Sequence, residues 1–192
     1  MTGTRRPSPD VERYVALVRG INVGGRNKVP MAELRTCLTE AGYLDVRTYI
    51  QSGNVAFDSP VTTTAPQHAA QLEHEVESLI EQRFGIAVPV VVRSRAQVGA
   101  VIADAPTGFG ADPTTYLCDV VFLKSPLTTE TALGAVSLRP GVDSAWAGID
   151  VVYFQRLSAR RTESRLNKVM SSPAYKLMTI RNWATTQALT TL

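Results

Sequence analysis

The sequence predicts an α+β fold, in which a βαββαβ first half is followed by a second, degenerate βαββα half. Three observations carry this expectation. Short β-branched runs alternate with amphipathic stretches of helical period, Gly and Pro stand at the joints between them, and a similar order of elements starts again after residue 115.

Residues 13–18 form a short apolar run followed by glycines, the pattern of a buried strand. A loop over 20–29 leads to Pro30, which opens a helix where its missing N–H does no harm. Leu34, Cys37, Leu38 and Ala41 form the apolar stripe of that helix, and Gly42 stops it. Residues 46–50 and 55–57 are strands around the hairpin Gln51-Ser52-Gly53-Asn54. A helix over 67–84 repeats Leu72, Val76, Leu79 and Ile80 and ends at Gly85, and residues 86–92 are the fourth strand. The order β-α-β-β-α-β is that of the split βαβ, or ferredoxin-like, arrangement. The domain reading is therefore a tail at 1–12, a ferredoxin-like subdomain at 13–93, a helix and linker at 94–115, and a second α+β subdomain at 116–192 with basic C-terminal helices. Within that subdomain the pattern predicts a strand at 116–123, a helix at 128–136, a hairpin over 142–154, helices at 164–171 and 180–189, and no final strand. A degenerate structural duplication follows, without a residue-level repeat.

Composition narrows the class. Of 192 residues, 44% are hydrophobic and 19% charged, well away from disordered compositions. Two cysteines, Cys37 and Cys118, both in apolar patterns, argue against a disulfide framework and for a reducing, cytoplasmic compartment. The first twelve residues lack the apolar stretch of a secretory signal, and no apolar run is long enough to span a bilayer, so no membrane partner is expected. Net charge is only +3, but residues 153–192 hold seven basic residues and one acidic residue. Such a cluster either solvates exposed surface or attracts an anion, nucleic acid included.

The candidate site residues fall in three places. Arg19-Gly-Ile-Asn-Val-Gly-Gly-Arg-Asn-Lys28 joins a strand to a helix N-terminus, a location that favours anions. Arg19, Arg26 and Lys28 would supply charge, Gly24 and Gly25 backbone access, and Asn22 orientation. The spacing from Gly20 to Gly25 resembles a P-loop, but Arg26 and Asn27 replace its Lys and hydroxyl residue, so a nucleotide-triphosphatase reading is rejected. In a ferredoxin-like unit this loop and the hairpin leave the sheet at the same end, which places Gln51, Ser52 and Asn54 beside Arg19, Asn22 and Arg26. The third place is Thr179-Ile-Arg-Asn-Trp183, where Arg181 and Asn182 are candidate ligand contacts. There Thr179 could cap a helix, and Arg181 in its first turn would oppose the dipole unless a carboxylate or an anionic ligand accompanies it. Trp183 reads as core. The blander reading is that the glycines supply positive φ, the hairpin is turn chemistry and the cations face water.

No catalytic set is nominated, and no metal or cofactor is expected. His68 and His74 lie six apart on one helix, face different directions and read as surface residues. Asp45, Asp58 and Asp119 could meet in space, without a reason in the sequence to select them.

The loop from Arg19 to Lys28 with Pro30-Met31 and Leu34-Arg35, then Tyr49-Ile-Gln-Ser-Gly-Asn54, then Thr179, Arg181-Asn-Trp183 and Thr185, resemble the bacterial family known as domain of unknown function 1697. The resemblance spans residues 13 to 192. It implies a small cytoplasmic α+β protein, with no activity or substrate attached. Arg26 stands where that family more usually has lysine, which keeps the charge. Ala184 and Ala188 depart from its usual polar or larger residues and put a side-chain contact from 184 in doubt.

Overall fold

The computed structural model describes residues 11–25, 27–60 and 65–192. The expected tail at 1–12 lies outside them as far as residue 10, while Val11 and Glu12 already belong to the first strand.

The first half runs β1 (Val11–Val18), α1 (Met31–Glu40), β2 (Leu44–Tyr49), β3 (Asn54–Pro60), α2 (Ala65–Phe84), β4 (Val90–Ser94) and α3 (Arg95–Ala103). Its antiparallel sheet has the order β2-β3-β1-β4. Alternation along β1 sends Tyr14, Ala16 and Val18 toward α1 and α2, where they meet Leu34, Leu38, Leu72, Val76 and Ile80. Each of these large side chains, fully buried, contributes about 1.5–3 kcal/mol. The intervening Val15 and Leu17 face the other way.

The second half runs β5 (Tyr116–Leu123), α4 (Thr129–Ala135), β6 (Asp143–Gly148), β7 (Val151–Leu157), three 3₁₀ segments between 158 and 177, β8 (Met178–Asn182), α5 (Trp183–Ala188) and a final 3₁₀ turn. Its antiparallel sheet has the order β6-β7-β5-β8. Two expectations are corrected here. A final strand exists, because Met178 to Asn182 pair antiparallel with β5 where a helix was expected over 180–189. The expected helix at 164–171 is 3₁₀, since the apolar residues Leu166 and Val169 give it only one short buried edge.

The halves share two pairs of equivalent backbone bonds. Val18 N donates to Gly53 O and Leu123 N to Asp150 O, while Arg19 N donates to Pro89 O and Lys124 N to Leu177 O. In both halves the fourth strand passes directly into a helix whose N-cap accepts a backbone N–H, Ser94 for α3 and Asn182 for α5.

Those two helices lie between the sheets. Val15, Leu17 and Val91 of the first sheet share one core with Val98 and Val101 of α3, Val120, Phe122 and Tyr153 of the second sheet, and Leu189. The segment expected as a linker takes part in it: Phe109 is buried, with its ring centroid 5.1 Å from Trp183 and 5.3 Å from Tyr153. Next to it Gly110 has φ +74°, and a Cβ there would come within 2.2 Å of the Trp183 ring. Gly110→Ala is expected to destabilise by about 1–3 kcal/mol through overpacking and strain together, read as a lower urea midpoint at unchanged slope.

His68 corrects another expectation. Packing of α2 on β1 buries it to 2% exposure, its ring 5.3 Å from that of Tyr14, whereas His74 is exposed. Among the described residues no helix is long and apolar enough to cross a membrane.

Candidate functional site

The loop after β1 is pinned by Asn22. With φ +57° it turns its side chain inward, accepting from Val29 N at 2.9 Å and donating to Val29 O at 2.8 Å and to Gln51 O at 3.0 Å. Both amide protons and the carbonyl are thereby used, and the loop is tied to the β2–β3 hairpin. Asn27 closes the loop's base, donating to Gly20 O at 3.1 Å.

Arg181 enters the same corner from the other sheet. On β8 it donates from Nε to Asn54 Oδ1 at 2.6 Å and from Nη2 to Val18 O at 2.8 Å, Ser52 O at 3.0 Å and Gly53 O at 3.3 Å. Nη1 donates to Ile180 O at 2.9 Å. All of these acceptors are neutral. Only 8% of the residue is exposed, and burial brings its pKa down to about 10. Asn54, fully buried, holds its own amide in place by donating to Tyr49 O and Ser52 Oγ, both at 3.1 Å. The acceptor it offers Arg181 is thus oriented.

Arg93 is the counterpart of Arg181 on β4, and it reaches the opposite way. Its Nη2 donates to Leu123 O at the end of β5, as that of Arg181 does to Val18 O at the end of β1, and its Nη1 donates to Val92 O at 2.8 Å. Carboxylates attend this copy. Glu73 Oε1 lies 3.7 Å from Arg93, and Glu73 Oε2 2.6 Å and Glu77 Oε1 3.1 Å from Lys124. Burial lowers the Arg93 pKa, while Asp150 and Glu73 hold it up.

Beside Arg181 a cleft of about 440 Å³ opens at the seam of the two halves. Arg19, Ser52, Tyr175, Ile180 and Arg181 are among its lining residues, with Gly20 and Asn27 at its loop side, and none of the described lining residues is acidic. The Arg19 guanidinium lies 4.1 Å from the centre of the Tyr175 ring and donates to Lys176 O at 3.3 Å.

A family model described as a protein of unknown function, DUF1697, matches residues 11–153. The chain belongs to the DUF1697 family. Among solved structures it is similar to a conserved bacterial protein from Streptococcus pneumoniae, at 27% identity and a TM-score of 0.79, over 95% of this chain and 98% of that one. A comparison with curated proteins gave no significant match.

In this DUF1697 protein the three sequence-predicted places converge only in part. Arg19, Ser52 and Arg181 line the cleft, and Asn54 grips Arg181. Asn22 and Gln51 join the loop to the hairpin instead. Gly24 and Gly25 are exposed with φ +60° and +76°, Lys28 is exposed, and none of the three lines the cleft. Arg26 lies outside the described residues. Asn182 is occupied as the cap of α5, accepting from Thr185 N at 2.7 Å, so Thr179 is not the cap and Arg181 stands in a strand rather than a first helical turn. Sequence reasoning missed Tyr175 and Ile180, which a second sheet with a final strand brings to the cleft.

The aspartates do not assemble. Asp45 and Asp58 share Arg13 at 3.0 and 2.8 Å, and Asp119 pairs with Arg156 at 2.5 Å on the other sheet. Both thiols are buried, and burial raises their pKa values, the opposite of a reactive thiolate.

Proposed function

We propose that this protein binds a small anionic ligand, phosphate-bearing or otherwise, in the cleft between the Arg19 loop and β8. The observation that carries the reading is the lining itself: two arginines, neutral polar groups and apolar side chains, without an acidic side chain among the described residues. Arg181 is held among neutral oxygens at 8% exposure, so its charge is spread over dipoles and not cancelled. An anion in the adjoining cleft meets that field where solvent screens little. Arg19, steadied on Tyr175, supplies the adaptable contact.

The reading takes each half as a ferredoxin-like unit, with 13–93 and 116–192 as subdomains joined through 94–115, in a cytoplasmic protein. Strand order and the matching bonds of the two halves support the first part of this. The alternative, nucleic-acid binding through the basic C-terminal segment, draws less support. Within that segment Arg156 is taken by Asp119, Arg160 by Glu163 at 2.7 Å, and Arg181 by the interior.

A thermal-shift panel of inorganic phosphate, nucleoside monophosphates and small carboxylates is the test. A ligand at a hundred times its dissociation constant adds about 2.7 kcal/mol of stability and so raises the melting temperature measurably. Arg19→Ala is expected to remove a charge-assisted contact of about 1.5–3 kcal/mol from binding while leaving the unliganded melting temperature nearly unchanged. No shift with any anion defeats the reading.

A further inference from the structure

We infer that the ligand is a short dicarboxylate, seated on Arg19, Arg181 and the edge of β8 as the side chains of Glu73 and Glu77 are seated on Lys124, Arg93 and the edge of β4. The inference rests on the anion-binding reading above and narrows it to one chemistry. Its ground is that the protein contains the filled version of the same site.

The two corners are built from equivalent parts. Each has a cation directly after the first strand of one half, Arg19 or Lys124, whose backbone N–H bonds to the residue before the fourth strand, Pro89 or Leu177. Each also has an arginine crossing from the other half to the last carbonyl of that first strand, Arg181 to Val18 or Arg93 to Leu123. In the corner of Arg93 and Lys124 two carboxylates from successive turns of α2 complete the set. Glu73 accepts from Val92 N at 3.0 Å and Glu77 from Val90 N at 2.7 Å, besides their contacts with Lys124 and Arg93. β4 is an edge strand, so these N–H groups point away from β1 and need acceptors.

In the corner of Arg19 and Arg181 the segment that takes the place of α2 is the 3₁₀ run over 158–177. It holds Arg160, Arg161, Arg165, Lys168 and Lys176 and a single acid, Glu163. That acid lies 2.7 Å from Arg160 and 3.8 Å from Arg139, away from the cleft. β8 is again an edge strand. The bond from Lys124 N to Leu177 O fixes the ladder so that the N–H groups of Met178 and Ile180 point outward. Tyr175 O accepts that of Met178, and Ile180 lines the cleft. Cations and edge strand are therefore kept, the carboxylates are missing, and a cleft of about 440 Å³ stands beside them.

Shape separates a diacid from phosphate. Glu73 and Glu77 stand four apart on one helix and both reach the Lys124 ammonium, at 2.6 and 3.1 Å, so their carboxylates stand side by side. Two planar carboxylates on a short linker can meet the Arg19 fork and the Arg181 cation separately, whereas one tetrahedral phosphate occupies a single centre.

The test is calorimetric titration of the full chain with malonate, succinate and inorganic phosphate at constant ionic strength. Saturable binding of a diacid, tighter than phosphate and weakened at least tenfold by Arg19→Ala, is the expected result. Tyr175→Glu would place a carboxylate under Arg19 and should weaken the diacid by a similar factor. Should that variant fail to fold, Arg19→Ala still decides. Binding of phosphate without either diacid overturns the dicarboxylate assignment and leaves the anion reading standing, and absence of all binding removes both. Capture of a Glu-rich peptide without the free diacids overturns the small-molecule ligand.

Discussion

Arg181→Met is expected to destabilise the protein by about 2–4 kcal/mol, much more than any exposed arginine would. Methionine keeps most of the apolar stem but offers no donor. Asn54 Oδ1 and the carbonyls of Val18, Ser52 and Gly53 then lose their shared partner in a corner where Asn54 and Val18 are fully buried. Gly53 O keeps Val18 N as a donor, but each acceptor left stranded costs about 1–3 kcal/mol, against which stands the relief of no longer holding a cation out of water. Arg181→Lys keeps the charge but not the fork, so it should recover less than half of the loss. Urea unfolding followed by far-UV circular dichroism measures both. A loss below 0.5 kcal/mol for the methionine variant, an order-of-magnitude limit, would mean that Arg181 does not hold the two halves together.

The first half was legible because each element obeys its own local rule. The stripe of Leu34, Cys37 and Leu38, the glycine stops at 42 and 85 and the polar hairpin before Val55 all agree with the packing they enter. β8 was not legible. Met178 and Ile180 do alternate with Thr179 and Arg181, but two apolar positions are too short a run to tell a strand from the opening of a helix, and Thr179 imitates a helix cap. The real cap, Asn182, sits three residues later and closes the strand into α5. The duplication also had a faint written form, an aliphatic residue, an arginine and a capping residue, in Val92-Arg93-Ser94 and Ile180-Arg181-Asn182. Its meaning lies in backbone bonds between strands, which no short window of sequence reports.

The cleft was half legible for the same reason. Arg19 and Ser52 were picked out by composition and by the predicted end of the first sheet, and Arg181 by a first helical turn that is in fact a strand, while Tyr175 and Ile180 reach the cleft through tertiary placement of the second sheet. Asn22 misled in an instructive way. An amide in a glycine-rich loop suits a ligand, yet a residue at φ +57° is often there because its side chain satisfies its own loop, as this one does.

Glu73→Ala is expected to cost about 3–5 kcal/mol, the largest effect of a single carboxylate in the molecule, because it breaks a buried ionic cluster from its centre. Glu73 is 5% exposed and touches three partners: Lys124 at 2.6 Å, Arg93 at 3.7 Å and the N–H of Val92 at 3.0 Å. Its removal leaves Arg93 with carbonyl oxygens, leaves Lys124 with Glu77 and Val90 O, and strands an edge N–H under α2. Glu77, whose side chain is 26% exposed, is more open to water, so Glu77→Ala should cost only about 1 kcal/mol. Glu73→Gln retains a carbonyl acceptor for Val92 N but no charge and should fall between the two alanine variants. Denaturant midpoints of the three, measured beside the parent, order them. Equal losses for the two alanine variants would show that burial does not set the strength of this cluster, and would remove the physical ground for treating the corner of Arg93 and Lys124 as the filled copy of the cleft.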